Sequence, residues 1–311
     1  MKESSMPFTS ERVAPTPDAA ERVAPTRAWR PCQPEVADII CIEEPSNDLP
    51  ARIHEWFSVT VVRSAAVVRC ESSRSLVAAR TCVLLVPALQ LYSLRAQSRP
   101  TRGTATLLIG PSLLKDLEGN DRALVVTDVT LVEQVEALVS QMSRPVASLD
   151  WPATMRALLG RLLASGAPVD SLPPRQGTPL GAAREHLRAH AAKPVSIADL
   201  ADLMGLAESH LIRAFHREFG LPPHAYQMRL RLSAAGELLA RGLSVSTVAF
   251  ECGFADQSHL SRNFKAVYGL TPAAWAGAVV RGPRRSLRPG TLRSVPPAPT
   301  RTLRLARTMN A

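Results

Sequence analysis

Long apolar runs are missing from this 311-residue chain. With no stretch of 18 apolar residues and no basic-then-apolar leader, the sequence reads as a soluble cytoplasmic protein with no membrane partner. Cysteine is sparse. Cys32, Cys41, Cys70, Cys82 and Cys252 include no closely spaced pair of the kind structural zinc takes, and in a reducing compartment they read as unpaired thiols. Histidine is almost absent before the C-terminal third: between residues 49 and 165 only His54 occurs, beside Glu55. Acidic residues are absent from 281–311, which carries eight Arg together with Pro283, Pro289, Pro296, Pro297 and Pro299, and that composition reads as a disordered tail. The tail also explains the net charge of +10, because residues 181–280 hold ten Lys and Arg against eight Asp and Glu. A disordered basic tail strengthens nucleic-acid binding through counterion release without reading sequence.

What is present is a repeat. Ser196–Gly205, Leu211–Phe215 and Phe219–Tyr226 recur as Ser244–Gly253, Leu260–Phe264 and Tyr268–Trp275, offset by 48 before the central turn and 49 after it. In the first copy Ile197, Leu200, Ala201 and Met204 form one apolar face, and Leu211, Ala214, Phe215 and Phe219 another. The second copy repeats this with Val245, Val248, Ala249 and Cys252, then Leu260, Phe264 and Tyr268. Gly205 and Gly253 end the first helix of each pair. Two helices joined by a short turn holding Gly read as a helix-turn-helix, whose second helix enters a major groove; a plain helical hairpin is the bland alternative. Pro222 and Pro223 open a connecting helix that runs to about Arg241 and is closed by Gly242, with Tyr226, Leu230, Ala234 and Leu238 on one side. At 1.5 Å per residue it is about 27 Å long, close to the ~34 Å between successive major grooves on one face of a duplex.

Residues 181–280, about a third of the chain, resemble the DNA-binding domain of the AraC/XylS family of bacterial transcription regulators. The resemblance lies in Gly220–Tyr226, Arg229-Leu-Arg231-Leu and, above all, Val248–Phe264. It implies seven helices carrying two helix-turn-helix units. Matched residue by residue, the base-facing positions fall on Ser209, Ile212 and Arg213 in the first unit and on Gln257, Ser258 and Arg262 in the second. The chemistry suits them: Arg bridges guanine O6 and N7, Gln bridges adenine N6 and N7, Ser reaches either, and Ile touches only a thymine methyl. For Arg213 the alternative is a salt bridge to Glu208 or Glu218, and for Arg262 an ordinary phosphate contact. Gln257 and Ser258 could instead support the start of their helix, with Asp256 as its cap. Ser244, His259 and Lys265 are candidates for phosphate contacts, which position a protein without specifying sequence. His186, His190, His210, His216, His224 and His259 lack metal spacing.

The rest of the chain is harder to read. Residues 1–48 read as a flexible leader with a short duplication, Glu11–Thr16 and Glu21–Thr26. Residues 49–165 read as an effector-binding and dimerisation domain, with strands over 56–62, 65–69, 81–86, 90–95, 104–109 and 123–127. A short helix over 112–117 and two longer ones over 131–142 and 151–163 complete it. Such strands suggest a small barrel or sandwich, and the resemblance implies a cupin-like barrel whose following helices either form a dimer contact or cover the barrel. Residues 166–180 read as the linker. The fold class expected is therefore α+β in two domains: a cupin-like β-barrel with helices, then an all-α domain with two helix-turn-helix units.

The function expected is a sequence-specific regulator, an activator by resemblance. Its partners would be double-stranded promoter DNA, RNA polymerase, an unknown small-molecule effector and a second copy of the chain. No catalytic residue, cofactor or metal is indicated, since one His excludes the clustered ligands of a cupin enzyme. Two alternatives stand beside this: a constitutive architectural DNA binder, and a DNA-alkylation sensor using a zinc site of four Cys, whose spacings of 9, 29 and 12 here do not suit zinc.

Overall fold

The computed structural model describes residues 25–31, 38–71, 76–78, 80–97, 103–115, 117, 121–142, 150–169 and 178–281. Short runs of Val, Ile, Leu and Thr build its first part, because β-branched side chains pack well on a pleated surface. The strands are β1 Arg27–Trp29, β2 Ile39–Glu43, β3 Leu49–Arg52, β4 Phe57–Val62, β5 Ala66–Cys70, β6 Leu76–Ala78, β7 Cys82–Val86, β8 Tyr92–Ala96, β9 Ala105–Ile109, β10 Leu124–Val126 and β11 Ala167–Pro168. Between and after them lie α1 Pro111–Leu114, α2 Val129–Met142 and α3 Trp151–Ser165.

These strands form two sheets, ordered β1-β2-β9-β4-β7-β10-β11 and β3-β8-β5-β6. Neither sheet closes on itself among the described residues, so the cupin-like barrel that the resemblance implies is corrected to two open sheets. Strand length and spacing alone do not encode whether a sheet closes. Alternation along the strands explains the layering. Cys41, Val59, Val61, Val83, Leu85 and Leu107 point to one side of the larger sheet and share a core with α2 and α3. Val62, Leu84 and Val86 point to the other and meet Val68, Tyr92 and Leu94 of the smaller sheet. The apolar faces of α2 and α3 are thus spent on covering the sheet.

The leader expected through residue 48 is also corrected, since β1 and β2 belong to the larger sheet. β3 and β6 were not expected, nor was β11, which falls in the expected linker and pairs with β10. The duplication at 11–26 lies outside the described residues except for its end, and so do most of the linker and the tail.

Seven helices follow, the number the resemblance implied: α4 Pro179–Ala189, α5 Ile197–Met204, α6 Glu208–Phe219, α7 Pro223–Ala240, α8 Val245–Glu251, α9 Gln257–Tyr268 and α10 Pro272–Arg281. Ser196 and Ser244 cap α5 and α8 identically, each accepting from the backbone N–H three residues on. α7 departs from expectation. It buries two sides rather than one, with Tyr226 and Leu230 in the core of the first helix-turn-helix and Leu232, Ala235 and Leu239 in that of the second. Both cores extend into the sheet region: Ile40, Ile42 and Leu108 of the larger sheet join the second, and Ile53 and Leu91, in the loops adjoining β3 and β8, the first. No helix among the described residues is long and apolar enough to cross a membrane.

Candidate nucleic-acid interface

α6 and α9, the second helices of the two helix-turn-helix units, are amphipathic, and their buried faces decide what they present. Leu211, Ala214, Phe215 and Phe219 anchor α6. That leaves Ser209, Ile212 and Arg213 exposed, joined by His216 and Arg217. Leu260, Phe264, Val267 and Tyr268 anchor α9, leaving Gln257, Ser258, Arg262 and Lys265 exposed. None of the six side chains matched to base-facing positions makes a hydrogen bond or ion pair among the described residues. Arg213 therefore does not pair with Glu208 or Glu218 here.

The three phosphate candidates differ from one another. The Ser244 hydroxyl is engaged as a cap, accepting from Thr247 N–H at 3.1 Å and lying 2.7 Å from Thr247 Oγ1. His259 is half-buried, edge-on to Phe254 with centroids 5.5 Å apart. Lys265 is exposed in the last turn of α9. Asp256 caps α9 as expected, accepting from His259 N–H at 2.7 Å.

The relative position of the two units rests on residues given no role from the sequence. Arg231 on α7 donates to the carbonyls of Ala191 at 2.7 Å, Lys193 at 3.0 Å and Gly253 at 2.6 Å. Gln227 donates to the carbonyls of His190, Ala191 and Lys193, the last at 2.7 Å. Gly253 has a φ of +74°, and a Cβ there would lie 1.9 Å from the Ala192 carbonyl oxygen. The turn of the second unit is thus seated on the loop that leads into the first. Arg231 stood within the Arg229-Leu-Arg231 signature, but nothing local says which carbonyls it reaches.

A second set of unanticipated residues docks the sheets. Arg52 is buried in a two-pronged ion pair with Glu44, at 2.8 and 3.1 Å, and donates to the Val267 carbonyl of α9 at 2.9 Å. Burial opposes its charge, but Glu44, joined by Tyr92 and Tyr268, more than restores it and holds the guanidinium above its ordinary value. Arg229 donates to Ala51 O at 2.6 Å and Tyr268 to Ile53 O at 3.1 Å. On the other side, the buried Glu71 carboxylate accepts from Tyr226 at 2.7 Å and from Arg184 at 3.1 Å. Burial first, and then Glu71, push the Tyr226 phenol well above its ordinary pKa.

Among the described residues no cluster of His, Cys, Asp and Glu could hold a metal ion. Cys41, Cys70, Cys82 and Cys252 are buried thiols. Burial raises Cys82 to about 11 and, with Glu251, Cys252 to about 12, so both are protonated and poor nucleophiles near neutral pH. Cys32 lies outside the described residues.

A family described as a helix-turn-helix domain matches residues 200–278. The "Probable transcriptional regulator LumQ" of Photobacterium leiognathi is 36% identical over 91 residues, 29% of this chain and 37% of its own length. The "HTH-type transcriptional activator RhaS" of Escherichia coli is 31% identical over 151 residues, 46% of this chain and 53% of its own. Residues 200–278 are an AraC-type helix-turn-helix domain. The chain spans from about a third to about half of the length of these curated relatives. Among solved structures, ToxT of Vibrio cholerae aligns over 82% of this chain and 97% of its own at 12% identity, with a TM-score of 0.47. A probable AraC family regulator from Rhodopseudomonas palustris aligns over 32% and 96% at 28% identity, with a TM-score of 0.31. The matched residues contain α6 and α9 whole and all nine residues singled out from the sequence.

Proposed function

We propose that this chain is a cytoplasmic, non-enzymatic transcription regulator that binds double-stranded promoter DNA at a discrete sequence. One observation carries the reading: two helix-turn-helix units in one AraC-type domain each expose a helix whose Ser, Ile, Gln and Arg side chains are engaged with nothing else. Gln257, Ser258 and Arg262 offer hydrogen bonds to base edges, whereas Ser209, Ile212 and Arg213 offer fewer, so the second helix reads more sequence than the first. The sheet region is the part that senses a small-molecule effector and alters how the domain meets DNA. Activation through RNA polymerase is the favoured direction, because one relative is named an activator. A second copy of the chain is a further partner in this reading, although the apolar faces of α2 and α3 do not provide the contact.

The rival is an architectural binder that coats DNA through its basic tail. Footprinting of the full chain on the intergenic DNA beside its own gene separates the two. A bounded protected site is expected; diffuse protection at every concentration would favour the architectural binder.

A further inference from the structure

We propose that Arg69, in the sheet region, grips a DNA backbone phosphate together with the end of the first reading helix. The proposal rests on the DNA-binding reading above. β5 runs beside the C-terminal end of α6, and a Cβ built on Gly220 would lie 4.0 Å from Arg69 Cδ. The stem of Arg69 therefore packs against the helix end, as long basic side chains do when the charged head stays in water. Between β5 and α6 opens a cleft of about 410 Å³, lined by Arg69 on one side and by Arg213, His216, Arg217 and Glu218 on the other.

The charge in this cleft is one-sided. Three guanidiniums meet a single carboxylate, and none of the three arginines makes an ion pair among the described residues. Two interdomain arginines elsewhere pair closely with carboxylates, Arg52 with Glu44 and Arg184 with Glu71. Three unpaired arginines converging on an open cleft repel one another until an anion arrives, and a guanidinium matches the oxygens of a phosphate better than any other side chain does. The cleft is also continuous with the reading face: Ser209, Ile212, Arg213 and His216 follow helical spacing, and the last two form its wall. A duplex seated on that face carries its phosphates past the end of α6, which favours a backbone phosphate over a free anion. The DNA-binding surface then extends beyond the AraC-type domain onto a strand of the sheets.

The test is the salt dependence of binding to the footprinted site by the full-length protein. Arg69→Ala should make the slope of log K against log salt shallower by about 0.9, one phosphate contact, with the footprint boundaries and thermal unfolding unchanged. Arg69→Lys keeps the charge and should restore most of the slope. An Arg69→Ala protein with the parental slope overturns the proposal. It is equally overturned if inorganic phosphate binds the DNA-free parent saturably, Arg69→Ala abolishes that binding, and the DNA slope does not move; the cleft is then a free-anion site. Failure of the DNA-binding reading looks different: the parent itself gives no bounded footprint.

Discussion

The phenol of Tyr226 donates a 2.7 Å hydrogen bond to Glu71, a carboxylate 155 residues away in sequence. The same carboxylate accepts from the backbone N–H of Leu91 and from Arg184, each at 3.1 Å, so one buried side chain ties β8's leading loop, α4 and α7 together. Removing it leaves a buried guanidinium and a buried phenol with too few partners. Glu71→Ala should therefore destabilise the protein by about 3 kcal/mol in denaturant unfolding. Tyr226→Phe, which removes one hydrogen bond and keeps the ring packed against Phe215, should cost about 1–2 kcal/mol. Parental stability for both variants would show that Glu71 is no linchpin.

The two reading helices should be separable by base preference. Arg213→Ala and Arg262→Ala should each weaken binding to the native site by about 1–3 kcal/mol and relax preference at different base pairs. Selection from a randomised-site library reads this directly. Uniform weakening across all sequences, with preferences intact, would reassign that arginine to a phosphate contact.

Gly205 and Gly253 hold equivalent positions in the repeat and similar φ values, +65° and +74°, but different surroundings. Nothing lies within 4 Å of a Cβ at Gly205, whereas one at Gly253 strikes the Ala192 carbonyl. Gly205→Ala should cost only the left-handed backbone penalty, about 1–2 kcal/mol. Gly253→Ala should cost on the order of 3 kcal/mol or more, because the whole second turn must lift away from the loop after α4 that carries Ala192. Thermal unfolding of the two variants compares them, and equal losses would contradict the seating described.

Neighbouring residues make opposite demands on pH. Burial, then Arg52, pull His54 from 6.5 to about 3. The unfolded chain therefore takes up that proton first, and the His54 contribution is lost as pH falls from about 6.5 towards 3. Burial, then Glu237, push Glu55 from 4.5 to about 7, against the pull of Arg241 and Arg188. Here the folded state holds the proton more tightly, so stability declines as pH rises from about 4.5 to 7. Between these limits the two trends oppose each other. Glu55→Gln should be more stable than the parent at about pH 8, by about 1–2 kcal/mol after allowing for partial exposure. His54→Phe should flatten the acid limb. Stability–pH profiles parallel to the parent in both variants would remove the assignment.

The repeat was legible because a helix-turn-helix is a local object: its apolar spacing, caps and turn glycines all fall within about twenty-five residues. Most strands were legible for the same reason. β2, Ile-Ile-Cys-Ile-Glu, has the length and content of a strand, but it lies among the prolines at 31, 34 and 45 in a stretch that reads as a leader. β1 is three residues long and carried almost none. The roles of Arg52 and Glu71 were out of reach, because their partners lie 215 and 113 residues away and no period connects them. Arg69 was invisible too. A lone Arg at the end of an apolar strand reads as a solvated position until the fold brings α6 beside it.

Residues 51–54 lie across α7 and α9 like a strap, with Arg229 fastened at Ala51, Val267 at Arg52 and Tyr268 at Ile53. Together with Ile40, Ile42, Leu91 and Leu108 they complete cores that the C-terminal helices leave unfinished. Cutting the chain near residue 178 would therefore expose greasy flanks on α7 and α9, strand the cation at Arg229 without its acceptor and leave Arg184 with Glu185 alone. The excised domain should be stickier and less cooperative in unfolding than its parent, and differences in its DNA binding would report a damaged support as much as a missing sensor.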